Sequence, residues 1–255
     1  MTILDSITLG IVEGITEFLP ISSTGHLILV STLLGIPQTD FLKTFQIAIQ
    51  LGAICSVIFL FWRSFLDIDV LKRLAAAFVP TAIIGFLMYN IVKDVFLESP
   101  VIVVWALLLG GVALIVLELL HKENESASEK AADISYTQSA LIGVFQSLAM
   151  VPGVSRSAAT IVGGLLIGVR RVAIVEFSFL LAVPTMLAAT GYDIMKNASL
   201  FSPDNTLSLA TGFITAFIVA LFVIKFLLSY IKTHSFIGFG IYRIVIAALF
   251  FLFVL

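Results

Sequence analysis

Charge is scarce in this chain. Asp, Glu, Lys and Arg make up 12% of its 255 residues, while hydrophobic residues make up 60%. A soluble domain carries about twice that charge, and a mean hydropathy of +1.15 excludes one. No run of Lys or Arg occurs and the net charge is -2, so there is no basic field to recruit nucleic acid, which is excluded as a partner. The single cysteine, Cys55, rules out an internal disulfide and, within its apolar run, is expected only to pack. No alternation of apolar and polar residues recurs at strand length, which argues against a β-barrel. The N-terminus lacks the basic stretch of a signal peptide, so the first apolar segment is expected to stay in the mature protein.

What the chain does hold is Phe, 22 residues of it, and repeated apolar runs of roughly twenty residues, the length a helix needs to cross about 30 Å of hydrocarbon. An all-α, polytopic membrane protein follows. Six segments read as ordinary transmembrane helices: 41–62, 74–92, 100–120, 172–191, 207–229 and 236–255. Two others, 3–34 and 136–168, are apolar but broken in the middle, at Pro20-Ile21-Ser22-Ser23-Thr24-Gly25 and at Pro152-Gly153-Val154-Ser155-Arg156-Ser157. Each reads as a re-entrant helical hairpin, because broken backbone at membrane depth is tolerated only where protein or water satisfies it.

Sliding the chain by about 132 residues sets Pro20 on Pro152, Ser23 on Ser155 and Phe45 on Phe177, and with a one-residue gap Gly10-Ile11-Val12-Glu13 falls on Gly143-Val144-Phe145-Gln146. The order of broken hairpin and three spans thus occurs twice, in 1–120 and in 136–255, around a polar linker at 121–135. Three spans per half invert the second half relative to the first, the pattern of an inverted-topology repeat with its site near the midplane. Placing the loop at 63–73 in the cytoplasm puts Arg63, Lys72, Arg73, Lys122, Lys130, Arg170, Arg171 and Lys232 on that side and leaves Lys43, Lys93 and Lys196 on the other. Both termini then face outward, and the two broken tips are expected to meet inside the bilayer.

Glu13 and Glu17 lie four apart on one helix face. Each carboxylate at membrane depth costs about 2.5 to 3.5 kcal/mol on insertion scales, so the pair calls for a cation. Hard oxygen ligands suit Mg²⁺ or Ca²⁺, and no Cys or His cluster favours zinc. Arg156, between Ser155 and Ser157, offers the forked donors that bind phosphate or carboxylate, and a half-helix starting near Ser155 adds backbone N–H groups and its dipole. Ser22, Ser23 and Thr24 precede His26, which sets a nucleophile within a turn of a base. Gln46 and Gln50 either line the cavity or join helices. Lys225 and Arg243 are expected to snorkel from helix ends, His121 and His234 to lie in interfacial flanks, and Trp62 to anchor the interface beside Arg63.

Glu13 with Gly14-Ile15-Thr16-Glu17-Phe18-Leu19-Pro20-Ile21-Ser22-Ser23-Thr24-Gly25-His26 closely resembles the glutamate-rich motif of the undecaprenyl-diphosphate phosphatase family associated with bacitracin resistance. Pro152 through Thr160 resembles that family's second motif, and Glu176-Phe177-Ser178-Phe179-Leu180-Leu181-Ala182-Val183-Pro184 its following helix; Ala158 stands where the family commonly has Gly. The resemblance runs the length of the chain and implies six spans plus two re-entrant hairpins in inverted repeats. It implies a bacterial plasma-membrane enzyme that hydrolyses undecaprenyl diphosphate to the monophosphate with a divalent cation, at a site opening outward, and recycles the lipid carrier for cell-wall synthesis. It further implies Glu13 and Glu17 as metal ligands, Ser22, Thr24, Ser155, Arg156, Ser157 and Thr160 as phosphate ligands, and Glu17, Ser23, His26 and Arg156 as the residues acting at phosphorus. The expected partners are the polyprenyl diphosphate and the bilayer, with a second copy in a homodimer as a further candidate. The alternative is a secondary transporter or flippase of a phosphorylated lipid, since carriers are also built from inverted repeats and broken helices; the Ser23 and His26 pair beside two carboxylates favours the enzyme.

Overall fold

The computed structural model describes residues 1–91, 100–121, 130–196 and 203–254. Ten α-helices account for nearly all of them: α1 (Ile3–Thr16), α2 (Ser23–Leu33), α3 (Asp40–Leu60), α4 (Ile68–Ile91), α5 (Pro100–Leu120), α6 (Tyr136–Gln146), α7 (Arg156–Leu166), α8 (Arg171–Lys196), α9 (Pro203–Tyr230) and α10 (Ile237–Val254). No strand occurs among the described residues. Five helices, α3, α4, α5, α8 and α9, are long and apolar enough to cross a bilayer, and α10 is apolar but shorter. This is a multi-pass, all-helical membrane protein.

Helix boundaries follow local chemistry. Thr2 and Ser135 open α1 and α6 with the same capping box, each accepting from the third helical N–H while Asp5 or Gln138 returns the bond to the cap backbone. The α4 helix begins at Ile68 rather than near residue 74, because the Asp67 carboxylate accepts from Asp69 N at 2.8 Å and starts the helix within a polar stretch that hydropathy does not mark. Both broken segments are broken where expected. The first helix ends before Pro20, which has no N–H to donate; the second passes through a 3-10 turn at Ser147–Met150 before Pro152 and Gly153. Gly153 has φ +95°, and a Cβ there would sit 2.6 Å from the Val103 carbonyl oxygen, so only glycine fits.

The two broken segments meet at their breaks and pack on the long helices in a pattern that survives exchanging the first five helices with the last five. The α1 helix lies on α9 as α6 lies on α4, α3 on α9 as α8 on α4, and the pairs α3 with α8 and α5 with α10 map onto themselves. Fully buried aromatics fill the interior, among them Phe18, Phe45, Phe177, Phe179, Phe236 and Phe250, whereas Phe86, Leu87, Phe222, Phe251 and Leu252 point outward. One end of the bundle is knitted by polar contacts. Arg73 donates to the Ile134 carbonyl, and Arg171 binds Glu118 at 2.6 Å and the His234 carbonyl at 3.0 Å. Arg63, Lys72, Lys130 and Arg170 lie in the loops and helix ends of that same side. Lys93, Lys122 and most of the 121–135 linker fall outside the described residues, as does the Lys196 side chain.

One residue expected at a membrane interface is elsewhere. Lys225 is exposed on α9, as snorkelling requires, but Arg243 is completely buried, with its guanidinium on main-chain carbonyls in the protein centre. Its place in the seventh position of α10 sets it too deep for the side chain to reach water, so it turns inward, where other polar groups compensate it.

The close α4–α6 approach depends on Gly143, whose added Cβ would strike the Ala77 carbonyl. Gly143→Ala is expected to destabilise the protein by about 1–3 kcal/mol, visible as a lower midpoint of thermal unfolding in detergent; an unchanged midpoint would contradict this packing.

Candidate active site

The two breaks meet face to face. Ser157 Oγ, on the second, donates to the carbonyl of Phe18 on the first at 2.8 Å, and Arg156 Nη2 donates to Glu17 Oε1 at 2.8 Å. Each turn that leads into its second half-helix is built the same way. Ser22 and Ser155 are the only described non-glycine residues with positive φ, at 71° and 77°. Each is an N-cap whose hydroxyl accepts from the N–H three residues on, Gly25 or Ala158. Such a backbone costs about 1–3 kcal/mol per residue and persists only where its surroundings fix it. The strain has a consequence: the residues that follow, Ser23 and Arg156, start helices whose free N–H ends and positive dipoles converge on one space. Ala158 lies in ordinary right-handed helix, so the position needs no glycine.

That space is a cavity of 270 Å³ lined by Glu17, Ser22, Ser23 and Thr24 from the first break and by Pro152, Gly153, Ser155 and Arg156 from the second. Its polar groups form one chain. Ser23 Oγ donates to Glu17 Oε2 at 2.7 Å, Glu17 Oε1 accepts from Arg156, and Arg156 Nη1 donates to the Ser178 carbonyl at 2.8 Å. Phe18 lies 5.6 Å beneath the Arg156 guanidinium, an arrangement that favours a cation. Arg156 Nε is buried and unpartnered, one donor left for an anion.

Glu13 stands one turn before Glu17, fully buried, and neither of its carboxylate oxygens has a hydrogen-bond partner. Two unpaired carboxylate oxygens in an apolar interior demand a positive charge or a proton. The donor set fits a hard cation: Glu13 and Glu17 supply carboxylate oxygens four residues apart. Among the described residues no three His, Cys, Asp or Glu side chains gather.

Four residues expected at the site do not line the cavity, Glu13 among them. Ser157 is spent on the bond to Phe18. Thr160 Oγ1 lies behind Arg156, bonded to the Arg156 and Ser157 carbonyls at 3.0 Å and to Ser178 Oγ at 2.6 Å, so it supports the arginine and does not line the cavity. His26 points the other way: its Nδ1 meets the Ser22 carbonyl at 2.7 Å and its Nε2 the Tyr242 hydroxyl at 2.9 Å. The helical turn that brings His26 near Ser22 in sequence carries its ring to the far side of α2. The group in contact with Ser23 is Glu17.

Sequence reasoning missed the far wall. Thr81, Gln146, Met150, Thr185, Met186 and Ala189 line it, with Gln146 Nε2 donating to Thr81 Oγ1 at 3.1 Å. Gln146 had a signal, its alignment with Glu13 across the two halves; Thr81 and Thr185 on α4 and α8 had none. Of the two glutamines on α3, Gln50 lines the cavity, whereas Gln46 does not and its amide nitrogen is buried without a partner.

The sequence profile of the family described as "Bacitracin resistance protein BacA" matches residues 6–249. The chain is 56% identical over 252 residues to an undecaprenyl-diphosphatase of Sulfurihydrogenibium sp. strain YO3AOP1, covering 99% of both chains. It is 54% identical over 256 residues to that of Persephonella marina, covering 100% of both. With that of Aquifex aeolicus it shares 49% identity over 257 residues, covering 99% of this chain and 100% of the other.

The Arg156–Glu17 pair is largely shielded from water, so removing one partner strands a charge. Glu17→Gln and Arg156→Gln are each expected to lower stability, and the double substitution to lose less than their sum, with a coupling of about 1–3 kcal/mol in unfolding titrations in detergent. Strict additivity would show the pair to be uncoupled.

Proposed function

This chain belongs to the bacitracin resistance protein BacA family, and from that premise we propose that it hydrolyses undecaprenyl diphosphate to undecaprenyl phosphate and inorganic phosphate. The reaction recycles the lipid carrier of cell-wall synthesis and confers bacitracin resistance. The observation that carries the reading is the contact of a hydroxyl nucleophile, Ser23, with Glu17, itself held by the phosphate-binding type of side chain, Arg156, on one cavity wall.

We assign α1–α2 and α6–α7 as re-entrant hairpins of two inverted repeats and the other six helices as spans of the bacterial plasma membrane. The end bearing Arg63, Arg73, Lys130 and Arg171 is cytoplasmic, which sets both termini and the mouth of the site on the outer face. In support, those cationic residues share one end of the bundle.

The terminal phosphate binds between the N-termini of α2 and α7. Backbone N–H groups, the Ser22, Thr24 and Ser155 hydroxyls and Arg156 surround it. Glu17 takes the proton as Ser23 Oγ, or a water in its place, attacks the terminal phosphorus; the bridging P–O bond breaks and undecaprenyl phosphate leaves, and on the serine route a water then hydrolyses the phosphoserine, releasing inorganic phosphate and returning the proton to Ser23 Oγ. Arg156 neutralises the charge that builds on the phosphoryl oxygens, aided by two helix dipoles already aimed there. Glu13 and Glu17 hold the divalent cation, Mg²⁺ or Ca²⁺, which when bound supplies further charge neutralisation at the phosphate. His26 fixes the Ser22 carbonyl, and through it the strained turn that presents Ser23. Thr160 and Ser178 fix Arg156 from behind.

Purified protein in detergent is expected to release phosphate from a polyprenyl diphosphate only with Mg²⁺ or Ca²⁺. Arg156→Ala and Ser23→Ala are each expected to lower kcat by about 10²–10³-fold. Labelled phosphate trapped on Ser23 would identify the serine as the nucleophile, and full turnover in Ser23→Ala would assign attack to water. No release under either metal would overturn the phosphatase reading and favour a carrier.

A further inference from the structure

Arg243 lies outside the site and is not a ligand of anything in the mechanism above, yet among the described residues no side chain has more hydrogen bonds. A guanidinium has five N–H donors, and Arg243 makes five hydrogen bonds, all to main-chain carbonyls. Nε donates to Leu107 O at 3.2 Å, Nη1 to Pro20 O at 3.2 Å and Val154 O at 2.8 Å, and Nη2 to Ala106 O at 2.9 Å and Gly153 O at 2.9 Å. The acceptors come from three separate segments: the first break, the second break and the middle of α5. Its space is made by Gly110, where an added Cβ would strike Nη2.

We propose that Arg243 is a positioning residue for phosphoryl transfer, a clasp that holds the two breaks in register and turns their carbonyls away from the cavity. This rests on the phosphatase reading. Gly153 and Val154 immediately precede Ser155, and Pro20 stands two residues before Ser22. The clasp therefore grips the peptides next to both strained N-caps, and the reacting side chains Ser23 and Arg156 are the residues directly after those caps. Oxygens drawn onto a cation behind the turns leave the N–H ends facing the phosphate. The same oxygens, rotated toward the cavity, would repel it. Lysine cannot replace this function, because an ammonium has three donors where five carbonyls wait.

The test uses Arg243→Lys and Gly110→Ala, two routes to the same displacement that both leave every charge in place, the second without altering the arginine itself. Each is measured beside the wild type for kcat and KM with polyprenyl diphosphate, for the thermal midpoint, and for stabilisation by inorganic phosphate. The expected result is a fall in kcat of about 10²-fold in both variants, the scale of an ångström of misplacement. KM should rise with it, because the N–H ends that the clasp aims hold the phosphate in the ground state as well as in the transition state, and stabilisation by phosphate should be lost. Wild-type kcat in either well-folded variant, or a fall that merely tracks the fraction of folded protein, would overturn the clasp. If Arg243→Lys fails to fold, Gly110→Ala alone decides. If the wild type releases no phosphate, the phosphatase reading falls, and the clasp stands or falls on whether both substitutions abolish phosphate stabilisation.

Discussion

Broken helix in an apolar environment leaves backbone groups that no lipid can satisfy, and in this protein each break is satisfied largely by the other. Ser157 of one caps the Phe18 carbonyl of the other, Arg156 of one binds Glu17 of the other, and Arg243 gathers carbonyls from both. The long helices serve this meeting. The α5–α10 pair carries Arg243 and two of its acceptors to the junction, and α8 brings Ser178 beneath Arg156. A core of fully buried Phe and Leu side chains surrounds it.

The same constraint produces the chemistry. A half-helix must begin somewhere inside the protein, and its first N–H groups need acceptors. Here Ser22 and Ser155 satisfy one each by adopting positive φ, and both helix N-termini border the cavity. An anion is the natural occupant of a space where two helix N-termini and a guanidinium converge, and Glu17 divides its two oxygens between that guanidinium and the hydroxyl of Ser23. The result is a hydroxyl, a carboxylate and a guanidinium in one line, with the unpaired oxygens of Glu13 behind them.

Positions four apart on a helix can be read without a structure, and so can a Pro-Gly break. Glu13 with Glu17, Ser23 after Pro20 and Arg156 after Gly153 were legible for that reason. Contacts along the chain were less so. Ser23 and His26 are three apart, which suggested a nucleophile and base; a turn of helix instead rotates the ring of His26 to Tyr242 and leaves Glu17, six residues away and across the break, as the serine's partner. Thr160 and Ser157 sit in the right motif but spend their hydroxyls on the scaffold. Arg243 was the sharpest miss. An arginine a third of the way into an apolar span is too costly to leave for the interface, and that cost pointed inward, although nothing in its spacing named the partners.

Composition and period determined the class, the helices and the two breaks, because a bilayer imposes length and apolarity on any segment that enters it, and Pro beside Gly and a cluster of hydroxyl residues interrupts a helix, whereas Pro80 and Pro184 in apolar sequence stay inside α4 and α8. The motif residues, with the chemistry they imply, belong to that same local information. Which base Ser23 meets was decided by the path of its own break, and which carbonyls face Arg243 and which wall Thr81, Gln146 and Thr185 supply by the packing of helices far apart in the chain. Those contacts span up to 223 residues, and a partner chosen across such a distance depends on how whole helices dock, a property no local spacing encodes.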